Sequence, residues 1–449
     1  MSKHYLQEKI TGTQGQVVMI NAQGVAEAQD ATLGFTPRIV VTAPTGSTVT
    51  CTNGSRTLTA TEVSGTWTFD VPDYGTWVIN ASKGSESASE SVDVTEVKQY
   101  SISLAYTRIY GVQWAGNSST AWSRTDDAAG FTDPVPAVNN GSGSSPFDNL
   151  YPWSGMVKET RTGGVMVKIP KFWFKWTKSG NSLKLQIADG PVDGFLVSPA
   201  HQDRGDGAGE RDYVYVGRYH CHTSNWKSQT GGKPKANTTR SNARTNIHNL
   251  GANIWQYDFA MWQTIFMLYL VEFADWNSQA KIGYGCGNNS STENMGATDN
   301  MQYHTGTAKS SRTTYGVGVQ YRWIEDLWGN VYDWLDGCYY NGSGLNLIKK
   351  PANFSDSSGG TSIGTPSDGY PKVMSVANAA GFEYAIYPTT AGGSDSTYVP
   401  DNWNFSSSYP CLLVGGGYGQ GQGCGLFRVG YSSASDSGAD VGCRLQELP

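Results

Sequence analysis

Trp323-Ile-Glu-Asp-Leu-Trp-Gly-Asn-Val-Tyr-Asp-Trp-Leu-Asp-Gly337 is the stretch on which the fold turns. Gly329-Asn330 is a turn pair, because glycine and asparagine tolerate the positive φ angles of a tight reversal. The Val-Tyr-Asp-Trp-Leu run that follows has the β-branched and aromatic character of a buried strand. Trp323, Trp328 and Trp334 are accordingly expected in the core.

Further along, Leu413 to Leu445 holds a glycine-dense loop, Gly415 to Gly425, which passes through Leu426-Phe427-Arg428 into Tyr431-Ser-Ser-Ala-Ser-Asp-Ser-Gly-Ala-Asp440 and closes on Val441-Gly-Cys-Arg-Leu445. Short apolar anchors bracket a long run of small and polar residues, which is how a surface loop held at both ends by strands is written. Leu413, Val414, Leu426, Phe427, Val441 and Leu445 are expected to be buried. Tyr418, Gln420, Gln422, Arg428, Tyr431, Ser433, Asp436 and Asp440 are expected to point outward.

With 449 residues the chain exceeds one ordinary core, and two or three domains are expected. Charged residues are 16% and aromatics 12%, with 55 Gly and 15 Trp, a mixture of rigid, loop-rich, β-dominated proteins. The net charge of −6 and the lack of a Lys/Arg cluster interleaved with aromatics speak against a nucleic-acid partner. The start of the sequence has no apolar core of a secretory signal, and the greasiest segment, Phe259 to Val271, is short of the roughly 20 residues of a bilayer span. The chain is therefore read as made in a cytoplasm and not membrane-embedded. Seven cysteines without a CxxC pair argue against a full disulfide framework.

Three regions separate along the chain. Residues 1–37 are polar and weakly patterned, an attachment segment. Residues 38–97 read as a small all-β sandwich: Ser47 to Thr52 alternates, Asn53-Gly54 is a turn, and Thr66 to Val71 sets Trp67, Phe69 and Val71 on one face. Residues 98–449 form a larger domain of long polar loops punctuated by aromatics. In it Ile169 to Trp176 reads as one strand and Trp255 to Trp276 as one long helix, capped by Asn253 or Asp258 and ended at Asn277-Ser278. A shorter helix near Asn246 follows the basic loop Gly231 to Arg244, whose cations read as solvated.

The motif Asp326-Leu-Trp-Gly329-Asn330-Val331-Tyr332-Asp333-Trp334 resembles the D-x-x-G-N-V-W-E-W pattern of the formylglycine-generating-enzyme branch of the C-type lectin fold. Val414-Gly-Gly-Gly-Tyr418 and Val441-Gly-Cys-Arg-Leu445 are similar to that family's R-G-G-S-W and terminal G-F-R-L strands, in the same order. The resemblance covers roughly residues 150–449 and implies an α+β C-type lectin fold of that type. The segment before it resembles the small immunoglobulin-like domains of phage tail proteins. The enzyme branch carries a cysteine pair five residues apart, which would fall on Gln420 and Gly425. Cys424 stands there alone and out of register, so the resemblance implies no catalytic residues and no enzyme.

The tail loop looks like that of the variable proteins of diversity-generating retroelements, whose last C-type lectin segment is rewritten at template adenines. Gly417, Tyr418, Gly419 and Gln420 lie over the first group of target positions, Gly430, Ser432 and Ser433 over the next, and Asp436, Gly438 and Asp440 over the last. Gly, Ser and Asp are products of randomising the adenines of an asparagine codon; Gln420 is not. With Gln422, Arg428 and Tyr431 these residues make up the ligand-binding set that the resemblance implies. It implies a phage tail receptor-binding protein, located on the virion and oligomeric. Its partners would be a bacterial surface receptor, protein or glycan, and other tail or baseplate proteins. A bacterial surface adhesin of the same fold is the alternative, followed by a formylglycine-generating-type oxidase, and a static glycine-rich lectin loop is the alternative to a diversified one.

No cofactor is expected. Structural calcium would need clustered carboxylates, for which Asp326, Asp333 and Asp336 are the candidates. His220-Cys221-His222 offers two imidazoles with nothing nearby in sequence to complete a tetrahedral site. Arg204-Gly205-Asp206 is read as a chance tripeptide. Trp403, just before the variable loop, is open between core and exposed stacking residue.

Overall fold

The computed structural model describes the backbone of residues 16–20 and 26–30, and residues 36–54, 56–84 and 86–449 in full. Most of the expected attachment segment therefore lies outside the described residues, apart from an antiparallel pair, Gln16–Ile20 with Ala26–Asp30. The chain divides into two compact units, Met1–Thr107 and Arg108–Pro449.

In the first unit, one sheet holds Thr66–Asp70, Arg38–Thr42 and Gln99–Ser103, and another holds Arg56–Thr59, Thr48–Asn53, Gly75–Lys83 and Glu86–Val94. Alternation places Ile39, Val41, Val49, Cys51, Trp67, Phe69, Trp77 and Ile79 in one core. The unit runs past the expected boundary at 97, because Gln99–Ser103 pairs in parallel with Arg38–Thr42, and Leu104 and Tyr106 are buried in the same core. A composition shift cannot register a strand that joins a distant partner.

The second unit is mainly sheet with three α-helices among the described residues. Its long helix is Phe259–Phe273, shorter than the pattern suggested: Ile254–Gln256 is a strand, and Ala274 closes the helix in the left-handed region. Asp258 is the cap, accepting from the Met261 amide at 2.9 Å. Every residue of this helix is buried, so its apolar surface is continuous rather than a stripe, and it is the core element of the unit. Glu272 on it is neutralised by a two-pronged bond from Arg322, at 2.6 and 3.0 Å. The expected strand from Ile169 to Trp176 is two strands, Gly164–Pro170 and Trp173–Ser179, which lie in different five-stranded sheets. Proline at 170 has no amide to continue a ladder.

Arg240–His248 forms the short helix, starting inside the loop read as solvated. Arg240 is fully buried and bonds the carbonyls of Leu335 and Cys338, while Arg244 forks onto Asp336. These two cations are structural, a correction to the solvated reading. The chain's end, Leu445–Glu447, lies inside a sheet between Tyr213–Gly217 and Ile254–Gln256.

Candidate functional site

The frame beneath the C-terminal loop is a four-stranded sheet in the order Gly425–Ser432, Cys411–Gly415, Tyr332–Leu335, Val441–Gly442. Gly329 at φ +81° and Asn330 at φ +68° make the reversal that aims Tyr332–Leu335 into it. A Cβ on Gly329 would stand 2.7 Å from the Cys286 amide nitrogen, so only glycine fits.

Arg444, fully buried, ties this frame together. It pairs with Asp333 at 3.1 Å and donates to the carbonyls of Gly217, Arg218, Glu325 and Asp326 at 2.9–3.2 Å. His220 donates to the other Asp333 oxygen at 3.0 Å. Against the burial that would raise it, His220 and Arg444 hold the Asp333 carboxyl below the usual carboxylate range. Burial pushes the His220 imidazole below its ordinary value, more than Asp333 raises it.

On this frame the six expected anchors are all buried. Gly419, Gln420, Tyr431 and Asp436 are exposed, as is Gln422; Tyr418, Ser433, Gly438 and Asp440 are half-buried. Four members of the expected ligand set are not surface residues. Gly417, Arg428, Gly430 and Ser432 are buried. Arg428 lies within Gly425–Ser432, where it donates to the Asn402 carbonyl at 3.1 Å and toward the Tyr332 hydroxyl at 3.4 Å. Its expected outward role is withdrawn: the strand continues to Ser432, and both faces of that sheet are covered through Gly430. The loop's base is pinned, since Asp440 accepts from the Tyr332 amide at 2.8 Å and Gly438 from the Asn237 amide at 3.1 Å.

Part of the loop lines two clefts. One, of about 550 Å³, is lined by Tyr409, Tyr431, Ser432, Ser433, Ser435 and Asp436. Another, of about 200 Å³, brings Tyr418 and Ala439 to Lys233, Asn237, Ser291 and Thr292 from two earlier loops. Gln422 reaches the Tyr284 hydroxyl at 3.4 Å, beside the Tyr284–Tyr315 ring pair. Sequence reasoning missed Tyr409, Tyr284, Tyr315 and the Lys233 loop. Only Tyr409 carried a local signal, a large aromatic after three serines and before a proline.

Cys424 is fully buried, its thiol bonded to the Gly417 carbonyl at 3.3 Å and pushed up by burial to about 12. Cys286, on the segment packed beside it, is likewise raised to about 12, chiefly by burial. Such thiols are almost wholly protonated at neutral pH and make poor nucleophiles. Asp326, Asp333 and Asp336 do not gather as calcium ligands. Asp326 accepts from the Gly318 amide, Asp333 pairs with Arg444, and Asp336 pairs with Arg244. No group of three His, Cys, Asp or Glu able to hold a metal ion exists among the described residues. Trp403 is core, 1% exposed and packed on Trp262, and Arg204 is buried in an ion pair with Asp258. Among the described residues no helix is long and apolar enough to cross a membrane.

Asp401, buried beneath the loop, supplies a test of the frame by pH. It accepts from the Phe427 amide at 2.9 Å, and a Cβ on Gly425 would collide with its carboxylate. Burial pushes its carboxyl up to about 7, more than the Phe427 amide and Arg428 pull it down. The folded chain then binds this proton more tightly than the unfolded chain, whose aspartates titrate near about 3.9. This contribution to stability is fully present below about pH 4 and is lost as pH rises through about 7. Asp401→Asn is expected to flatten the fall in unfolding free energy between about pH 4 and 7, at most about 1.4 kcal/mol per pH unit. Denaturant melts of both chains across that range check it; an unchanged pH profile would contradict it.

No family model matches the chain, and no curated protein matches it. Among solved structures it is similar to PvdO from Pseudomonas aeruginosa, at 12% identity over 65% of this chain and 98% of that one, with a TM-score of 0.26. It is also similar to Treponema denticola variable protein 1, at 12% identity over 65% of this chain and 99% of that one, with a TM-score of 0.28. Neither likeness is close enough to assign an activity.

Proposed function

We propose that the chain is a receptor-binding protein of a phage tail, in which a C-type-lectin-like domain of the formylglycine-generating-enzyme type follows an immunoglobulin-like spacer. Binding, not catalysis, is its role: residues between 417 and 440 meet a receptor on the bacterial surface, and several copies per particle raise the effective affinity. One observation carries this reading, the division of labour in the last 40 or so residues. Leu413, Val414, Leu426, Phe427, Val441 and Leu445 are buried in the frame. Between them Gly419, Gln420, Gln422, Tyr431, Ser435, Asp436 and Ser437 are exposed. A surface whose side chains do not serve the core is free to change without unfolding the domain, the condition that a diversified binding loop must meet. The test is to exchange those exposed residues together, and to measure the stability of the chain and its binding to a panel of bacterial cells.

A further inference from the structure

Tyr409 and Tyr431 are the two large exposed aromatics of the second unit's C-terminal region, 46% and 40% exposed. They come together because Tyr431 pairs across the sheet with Leu412, and Tyr409 enters the same edge just before Cys411–Gly415. Their rings are parallel to within 3°, with centroids 5.7 Å apart. Exposing apolar ring surface to water is unfavourable. The two rings are stacked at the wall of one cleft, and the pair leaves exposed ring surface there for a flat apolar face.

The rest of the cleft is polar and already set in place. Asp436 accepts from the Ser432 hydroxyl on one carboxylate oxygen and from the Ser437 amide at 2.7 Å on the other. Ser433 accepts from the Ser435 amide at 3.1 Å, and the two serine hydroxyls stand 2.8 Å apart. Each carboxylate oxygen keeps a further lone pair for an incoming donor, and the serines can both donate and accept.

We infer that this cleft binds a neutral pyranose, the C–H face of the sugar ring lying on Tyr409 or Tyr431 and its hydroxyls bonded to Asp436, Ser433 and Ser435. The inference rests on the receptor-binding reading and names the chemistry of that receptor. No cationic side chain lines the cleft, and Asp436 would repel a carboxylate or phosphate, so an acidic sugar or phosphate group is excluded. Parallel rings at this separation cannot enclose an ammonium between them, which sets aside a quaternary-amine cage. A volume of about 550 Å³ falls within the usual range of small-molecule clefts, about 300–1,000 Å³.

Saturation-transfer NMR on the purified full chain tests it. The probes are methyl glycosides of glucose, galactose, mannose and N-acetylglucosamine, with choline and glucuronic acid as the charged controls. At least one neutral glycoside should receive saturation on its ring C–H protons, and its affinity should fall about tenfold or more in Tyr431→Ala or Tyr409→Ala. Tyr431→Phe should retain binding, because the ring face is kept, and thermal melts confirm that each variant folds. The inference is overturned if no neutral glycoside binds, if only a charged control binds, or if binding ignores both alanine substitutions. Cell binding separates the two readings. Loss of cell binding in Tyr431→Ala without glycoside binding leaves the receptor-binding loop standing and makes the receptor a protein. Glycoside binding with cell binding unaffected by that substitution leaves the sugar cleft standing and removes the receptor role.

Discussion

Arg444→Met should destabilise the second unit by about 3–5 kcal/mol, the cost of leaving one half of a buried ion pair without its partner. Asp333 would keep its bond from His220, but the carboxylate would lose the fully buried guanidinium that pairs with it. Four carbonyls, from Gly217, Arg218, Glu325 and Asp326, would lose a donor at the same time. Denaturant unfolding monitored by tryptophan fluorescence measures the loss. Adding Asp333→Asn to Arg444→Met should restore part of it, since the stranded charge is then gone. A loss below about 1 kcal/mol would mean that water or another cation reaches Asp333.

Phe427→Ala should cost a similar amount, about 3–5 kcal/mol, through cavity formation instead of charge. The Phe427 ring is fully buried, with centroids of Phe266, Tyr269 and Trp276 at 5.6, 5.7 and 4.9 Å. Two of these neighbours sit on the central helix, and Phe427 is therefore the bolt between the loop-bearing sheet and the core. Tyr431→Ala, four residues on, should leave stability within roughly half a kcal/mol. The contrast between the two is the measurement; equal losses would place Tyr431 in the frame.

Period and turn chemistry made the frame legible in the sequence. Gly329-Asn330 before Val331-Tyr-Asp-Trp334 foretold a turn and a buried strand, and both are present because φ preference and alternation act locally. The same holds for the anchors around the loop. What was not legible depends on distant partners. Arg428 looks like a surface residue beside its glycines, and only the length of its strand and the carbonyl of Asn402 explain its burial. Arg240 and Arg244 looked like a solvated basic loop until Leu335, Cys338, Asp336 and Asp356 were brought to them. Tyr409 joins Tyr431 through sheet register, which no local pattern encodes. The clefts, being made of loops from several regions, were beyond reach for the same reason.

The central claim is that the frame folds the domain and the exposed residues between its anchors recognise a receptor. Its most direct test replaces Gln420, Gln422, Tyr431, Ser435, Asp436 and Ser437 together by small polar residues, leaving Leu413, Val414, Leu426, Phe427, Val441 and Leu445 unchanged. Thermal melts and binding of the labelled chain to bacterial cells are then read side by side. The expected result is a cooperative melt within a few degrees of the parent, since surface substitutions cost little, together with loss or redirection of cell binding. An unfolded domain, or a folded one that binds the same cells as before, would contradict it.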